Sequence, residues 1–279
     1  MESIIGTITE IWRYPVKSMR GERVETVAIG PQGLLGDRAL ALREVGSGHL
    51  VSAKKWPRML ELRATYASPP GWPLDPAAIV IELPDGPPTA ADDPALEGLL
   101  SHFLGFEVRL ERSPGSGRNE IGIDPATIFG GLAAAEVMPG LAPGTVLPPT
   151  FGAPRGTFFD AAPIHLIASA TLAHLGRLLG ESAPATRRFR PNLLVQSTDE
   201  SAGFVEDGWI GHALQIGEIE INQLIPTLRC VMTTHAQEEL ARDLAILRTA
   251  ARHHQAFIGV TGKIKGRGQI AVGDAIALH

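Results

Sequence analysis

Four short segments of this chain carry polar groups where hydrophobic patterning does not ask for them. Tyr14-Pro15-Val16-Lys17-Ser18 follows an alternating apolar run, and Gly36-Asp37-Arg38 separates two more. Arg187-Arg188-Phe189-Arg190-Pro191-Asn192 precedes a strand-like stretch, and Arg229-Cys230 comes directly after Ile225-Pro226-Thr227-Leu228. Lysine, arginine and a hydroxyl at strand ends make a reasonable anion site. A guanidinium grips phosphate or carboxylate through two nitrogens, and an ammonium supplies a compact charge. The competing account is plain: charges at strand ends are usually solvated and have no special role.

Cys230 is the only cysteine. An intrachain disulfide, a zinc site built on several cysteines and an iron–sulfur cluster are therefore excluded. A lone cysteine is most often a small buried apolar residue. The neighbouring Arg229 also gives it the positive surroundings that suit a thiolate ligand for a soft or redox-active metal. One thiolate cannot hold a metal securely, so most of the coordination would have to come from a cofactor's own ligands. The nine histidines are scattered and none shows His-Glu-x-x-His spacing, so they are read as structural. Gly115-Ser116-Gly117 opens no helix, and neither a Walker lysine nor a G-x-S-x-G elbow is present.

The elements that must position these segments are mostly strands. Alternation predicts strands at Ile5–Trp12, Val24–Ile29, Leu60–Tyr66 and Ile79–Leu83. Later ones fall at Leu193–Gln196, Leu214–Ile216, Ile219–Leu224, Phe257–Val260, Gln269–Val272 and Ala275–Leu278. Helical spacing predicts Pro94–Leu104 behind a capping Asp93, Ala170–Leu179 behind Ser169, and Gln237 to about Arg252. Residues 113–157 are rich in Gly, Pro and Ala and read as long irregular connections. So many short strands favour a closed barrel, which removes exposed edges.

A chain of 279 residues with 44% hydrophobic and 20% charged content can bury a sizeable core. A net charge of −5 argues against nucleic acid as a partner. No stretch approaches the roughly 20 apolar residues of a membrane span. The start carries no basic segment followed by an apolar run. Both observations lead us to expect a soluble cytoplasmic protein without a membrane partner.

Taken in order, the four segments resemble the MOSC family, named for the C-terminal domain of molybdenum-cofactor sulfurase. IWRYPVKSMRGERVETVAIGPQGLLGDRALAL and HLVSAKKWPRMLELRATY look like its N-terminal region. RRFRPNLLV, DGWIGHALQIGEIEI, RCVMTT and GQIAVGDAIAL look like the MOSC domain proper. Within the family the resemblance is strongest to the mitochondrial amidoxime reducing component group and its bacterial relatives. It implies a mixed α/β, mainly β chain. Residues 1–45 and 115–279 would form a discontinuous MOSC-type β-barrel, and residues 46–114 an inserted lobe. It also implies a pterin-based molybdenum cofactor (Mo-molybdopterin). Cys230 would be the metal ligand and catalytic residue, and Lys17, Ser18, Arg38, Arg190, Asn192 and Arg229 would bind the cofactor.

The implied activity is a molybdenum-dependent oxidoreductase reducing small N-hydroxylated (N–O) substrates. Electrons would come from a separate donor protein of flavin, haem or iron–sulfur type. Two rivals remain at this stage: a sulfur or cofactor carrier using Cys230, and a metal-free small-molecule binding barrel. The chain departs from the group's pattern at Leu228, at Thr261 and at His235-Ala236-Gln237. These departures bear on substrate preference more than on cofactor binding.

Overall fold

The alternation at the start of the chain becomes strand β1 (Ser3–Arg13). Strict alternation would put Ile8 and Ile11 on opposite faces, yet both are fully buried. A register shift between Ile8 and Glu10, where β1 pairs with the strand Leu193–Ser197, re-phases the side chains. An extra residue in one strand of a pair has that effect.

The computed structural model describes residues 3–71, 75, 78–113, 156–199 and 203–279. After β1 come β2 (Glu22–Val24), β3 (Thr26–Gly30), β4 (Gly33–Leu34), β5 (Leu40–Glu44), β6 (Arg63–Tyr66), β7 (Ile79–Glu82), β8 (Thr89–Ala90) and β9 (Val108–Arg112). The rest are β10 (Ile164–Ala168), β11 (Leu193–Ser197), β12 (Leu214–Ile216), β13 (Ile219–Leu228), β14 (Phe257–Lys265), β15 (Gly268–Ala271) and β16 (Ala275–Leu278). Among the described residues the α-helices are α1 (Leu96–Leu104), α2 (Ser169–Leu179) and α3 (Ala245–His254).

Hydrogen bonding runs β11-β10-β14-β13-β12-β16-β1, and β1 returns to β11, which closes a seven-stranded barrel. Neighbours in it are antiparallel except β10 and β11, which are parallel and joined through α2. A parallel pair needs such a crossover. Ile8, Ile11, Leu166, Val195, Ile221 and Val260 fill the barrel core. The expected mainly β class with a closed barrel is the observed one.

A second core lies beside the barrel. The pair β5–β9, the sheet β6-β7-β8 and helix α1 surround Leu42, Leu60, Leu62, Ile81, Leu100 and Val108. Val16 and Met19, from the loop after β1, and Met232, from the turn after β13, belong to this second core. Burying each such side chain contributes about 1.5–3 kcal/mol. The loops carrying Lys17 and Cys230 are thus fastened at the seam between the two cores.

Several expected boundaries move. The third helix begins at Ala245, not Gln237: Gln237 and Leu240 pair through their backbones, Glu238 has φ 49°, and Asp243 accepts the Ala245 N–H at 2.8 Å. The predicted strand from Leu60 begins at Arg63, because Pro57–Leu60 forms a 3-10 turn. The run Val24–Ile29 divides at Glu25, with β2 pairing to β1 and β3 to β15. Helix α1 starts at Leu96 and buries Leu96, Leu100 and Leu104, leaving Leu99 exposed. Most of the predicted irregular connection, residues 114–155, lies outside the described residues. No described helix is long and apolar enough to cross a membrane.

Candidate functional site

β1 delivers Tyr14 to the seam, where the Asp37 carboxylate accepts its backbone N–H at 2.7 Å. The Tyr14 hydroxyl donates to the Pro191 carbonyl at 3.2 Å. The Arg38 and Arg190 guanidiniums lie over its ring, 4.5 Å and 4.1 Å from the centroid. Three of the four sequence segments therefore meet at one aromatic ring. Asp37 also accepts from Arg38 and, at 2.9 Å, from the Asn192 side-chain amide. Asn192 further donates to the Trp12 carbonyl at 3.2 Å, and its oxygen accepts the His165 N–H at 3.1 Å. Its hydrogen-bonding groups are engaged inside the protein, which makes it a brace for Asp37.

Ser18, Arg38 and Arg190 all have positive φ, at 68°, 49° and 53°. Such conformations cost a non-glycine residue roughly 1–3 kcal/mol and concentrate at ligand clamps. Bonds from other segments hold these loops. The Lys17 N–H bonds the Leu40 carbonyl at 2.8 Å, the Arg38 N–H bonds the Tyr14 carbonyl at 2.7 Å, and the Arg190 guanidinium donates to the Met19 carbonyl at 2.6 Å.

A lysine pair forms the next layer. Lys17 is buried, and its ammonium donates to the Phe158 carbonyl at 2.8 Å and to Asp160 at 2.7 Å. Lys54 approaches the other Asp160 oxygen at 3.5 Å. Burial pulls Lys17 below its ordinary value, with Asp160 opposing. For Lys54 burial works the same way, but Asp160 and Cys230 outweigh it and raise the pKa. Desolvation would raise Asp160; the two ammoniums overcome it and hold the carboxyl far below the usual range.

Cys230 is half-buried at the end of β13, against the edge of the second core. Its carbonyl accepts the Thr233 hydroxyl at 3.1 Å. The preceding Arg229 is buried and donates to the Phe189 carbonyl, and its Nη1 lies 3.3 Å from His165 Nε2. Burial lowers Arg229 to about 10, and the neighbouring Cys230 works against that. His165 Nδ1 faces the Arg190 carbonyl at 3.4 Å. Burial, then Arg229, push His165 well below its ordinary value, so the ring is neutral. A neutral ring donating from Nδ1 leaves Nε2 free to accept from Arg229, which couples the Arg190 segment to the cysteine turn.

The structure thus gathers Lys17, Ser18, Arg38, Arg190, Arg229 and Cys230 around one seam. It adds Lys54, Asp160, Tyr14 as a ring platform, and His165, a histidine whose spacing in the sequence points only to a structural role. An acid inside the apolar run Phe158-Phe159-Asp160-Ala161-Ala162 was the one available signal for Asp160. Lys54 had none beyond its place in the run Ala53-Lys54-Lys55-Trp56. Among the described residues no group of three or more His, Cys, Asp or Glu could hold a metal ion. A metal here would have to arrive with most of its own ligands. A single thiol, the buried Arg229 with an unpartnered Nε, and a wall of cations suit an anionic, metal-carrying cofactor.

Comparison with known proteins places the chain among relatives of known family. The model of the MOSC domain matches residues 153–277, and that of the MOSC N-terminal beta barrel domain matches residues 5–97. The mitochondrial amidoxime reducing component 2 of Macaca fascicularis is 27% identical, across 82% of this chain and 67% of its own length. The Rattus norvegicus protein of the same name is 28% identical with the same coverage. Mitochondrial amidoxime-reducing component 1 of Mus musculus is 25% identical across 98% of this chain and 82% of its own length. From the fold, the gathered residues and these matches, the chain belongs to the MOSC domain family.

Proposed function

We propose that this chain binds a pterin-based molybdenum cofactor and reduces small N-hydroxylated compounds with electrons from a separate protein. The observation that carries the reading is the half-buried Cys230 thiol, set beside the Arg229 and Lys54 cations at the seam. In this reading Cys230 is the one protein ligand of the metal. Lys17, Ser18, Arg38, Arg190 and Arg229 bind the anionic cofactor, with Lys54 completing the cationic wall. Asn192 fixes Asp37, Asp37 fixes Arg38, and the Tyr14 ring receives both Arg38 and Arg190. Val16, Met19 and Met232 are buried in the second core and anchor the loops that carry Lys17 and Cys230. When bound, the cofactor supplies the redox chemistry that removes the oxygen atom of the N–O group. The chain supplies position and charge, and electrons come from a donor of flavin, haem or iron–sulfur type.

The chain division belongs to the same proposal: a barrel of residues 1–45 and 115–279, with 46–114 as an inserted lobe. β1 pairs within the closed barrel, which supports this division, while β5 pairs with β9 and packs with the second core.

The test is Cys230→Ala in protein from a host that makes the cofactor. We expect an unchanged circular dichroism spectrum, loss of molybdenum by elemental analysis, and loss of reduction of a test amidoxime by a supplied donor. A variant that keeps both metal and activity overturns the reading. An added sulfur on wild-type Cys230 without pterin, seen by native mass spectrometry, would instead indicate a sulfur carrier.

A further inference from the structure

A cavity of about 170 Å³ opens between β1, the loop after it and the turn that follows the cysteine segment. Four arginines line it, Arg20, Arg63, Arg187 and Arg190, and Glu238 is the one acidic residue of its lining. Arg20 Nε, Arg187 Nε and Gln237 Nε2 are buried and have no hydrogen-bond partner, and Gln237 is only 3% exposed. Buried donors are normally paired, and three of the residues lining this one cavity each carry an unpaired one, which points to a missing acceptor nearby. The acceptor that four guanidiniums favour is an oxyanion.

Glu238 fills part of that role. Its carboxylate pairs with Arg20 and lies 3.7 Å from Arg187. It does so from a backbone at φ 49°, with its side chain 43% exposed. An exposed carboxylate on a strained backbone is easily displaced. We propose that this cavity is an oxyanion-binding site for the carboxylate or phosphate of a small molecule, and that Glu238 occupies it as an internal competitor. The site does not depend on the proposed cofactor, although it borders the seam through Tyr14 and Arg190.

The experiment titrates the full chain with inorganic phosphate, phenyl phosphate and benzoate, with phenol as the uncharged control. Binding is read by calorimetry and by the fluorescence of Trp12, with Trp12→Phe assigning the signal. Saturable binding of at least one oxyanion and none of phenol is expected, and the tightest probe identifies the group. Glu238→Gln should tighten binding about tenfold, the effect of removing one competing charge pair. Arg187→Gln and Arg63→Gln should each weaken it by about tenfold or more. The two arginine variants act as independent checks should one fail to fold. Protein from hosts with and without the cofactor should both show saturable binding, because Arg20, Arg63 and Arg187 are not among the residues assigned to the cofactor. Absence of saturable binding, an unchanged or weaker Glu238→Gln, indifferent arginine variants, or binding lost only in cofactor-bearing protein would each overturn the proposal.

Discussion

Arg38 and Arg190 repel one another, and that repulsion, after burial, holds Arg190 down at about 10. The Tyr14 ring is what lets both stay charged at one place, since each guanidinium gains about 0.5–2 kcal/mol from a ring face. Two substitutions separate ring from hydroxyl. Tyr14→Phe keeps the platform and loses the bond to Pro191, and should cost about 1 kcal/mol. Tyr14→Leu loses the platform as well and should cost roughly 2–4 kcal/mol in urea unfolding. Equal losses in the two variants would mean that the ring does not hold the arginines. At this scale the sequence exposed residues whose charge stood out against apolar neighbours, namely Lys17, Arg38, Arg190 and Arg229. It could not expose Asp160 or Lys54, because their role lies in a pairing across more than a hundred positions of chain. Nor could it single out His165, whose importance is the distance between two ring nitrogens and two other segments.

Among the elements, β14 is held closer to β10 than side chains normally allow. Gly259 has φ 78°, and a Cβ there would stand 2.5 Å from the Leu166 carbonyl oxygen and 2.8 Å from His165 Nε2. Gly259→Ala should therefore destabilise the fold by about 2 kcal/mol or more, through both backbone strain and overlap. It should also push His165 away from Arg229, so cofactor retention should fall further than stability alone explains. A normal complement of cofactor in a destabilised Gly259→Ala protein would remove His165 from the site. Elements with unbroken alternation, such as β7 and β12, were legible, and α2 ends at Gly180 with φ 74°, as its sequence announced. The failures share a cause. The stretch Gln237–Leu244 has helical spacing, but a local backbone pair and a left-handed Glu238 consume it before Ala245. β5 and β9 lie some 60 residues apart in sequence and gain their strand character from each other.

At the scale of the whole molecule, barrel closure joins the first strand to segments nearly 200 residues away, and no local pattern announces such pairing. One buried acid reports on the integrity of that assembly. Glu206, 2% exposed, sits in the 3-10 turn Val205–Trp209 and ties it to the start of α2. Its carboxyl accepts the Ala168 N–H at 2.7 Å and meets the Thr171 hydroxyl. Burial raises its pKa from the ordinary 4.5 to about 7, against the lowering effect of those bonds. A protonated Glu206 can donate to Thr171, whose hydroxyl faces the Gly203 carbonyl at 3.5 Å. The folded chain thus binds a proton that the unfolded chain has released above pH 4.5. The stabilisation is complete below the unfolded value of 4.5 and disappears as pH rises through about 7. It amounts to on the order of 3 kcal/mol. Glu206→Gln keeps an acceptor for Ala168 and cannot ionise. Between about pH 5 and pH 8 the wild type should lose roughly 2–3 kcal/mol more unfolding free energy than the variant. Urea titrations of both proteins across that range measure the difference directly, and parallel curves would show that Glu206 is ionised in the folded chain throughout.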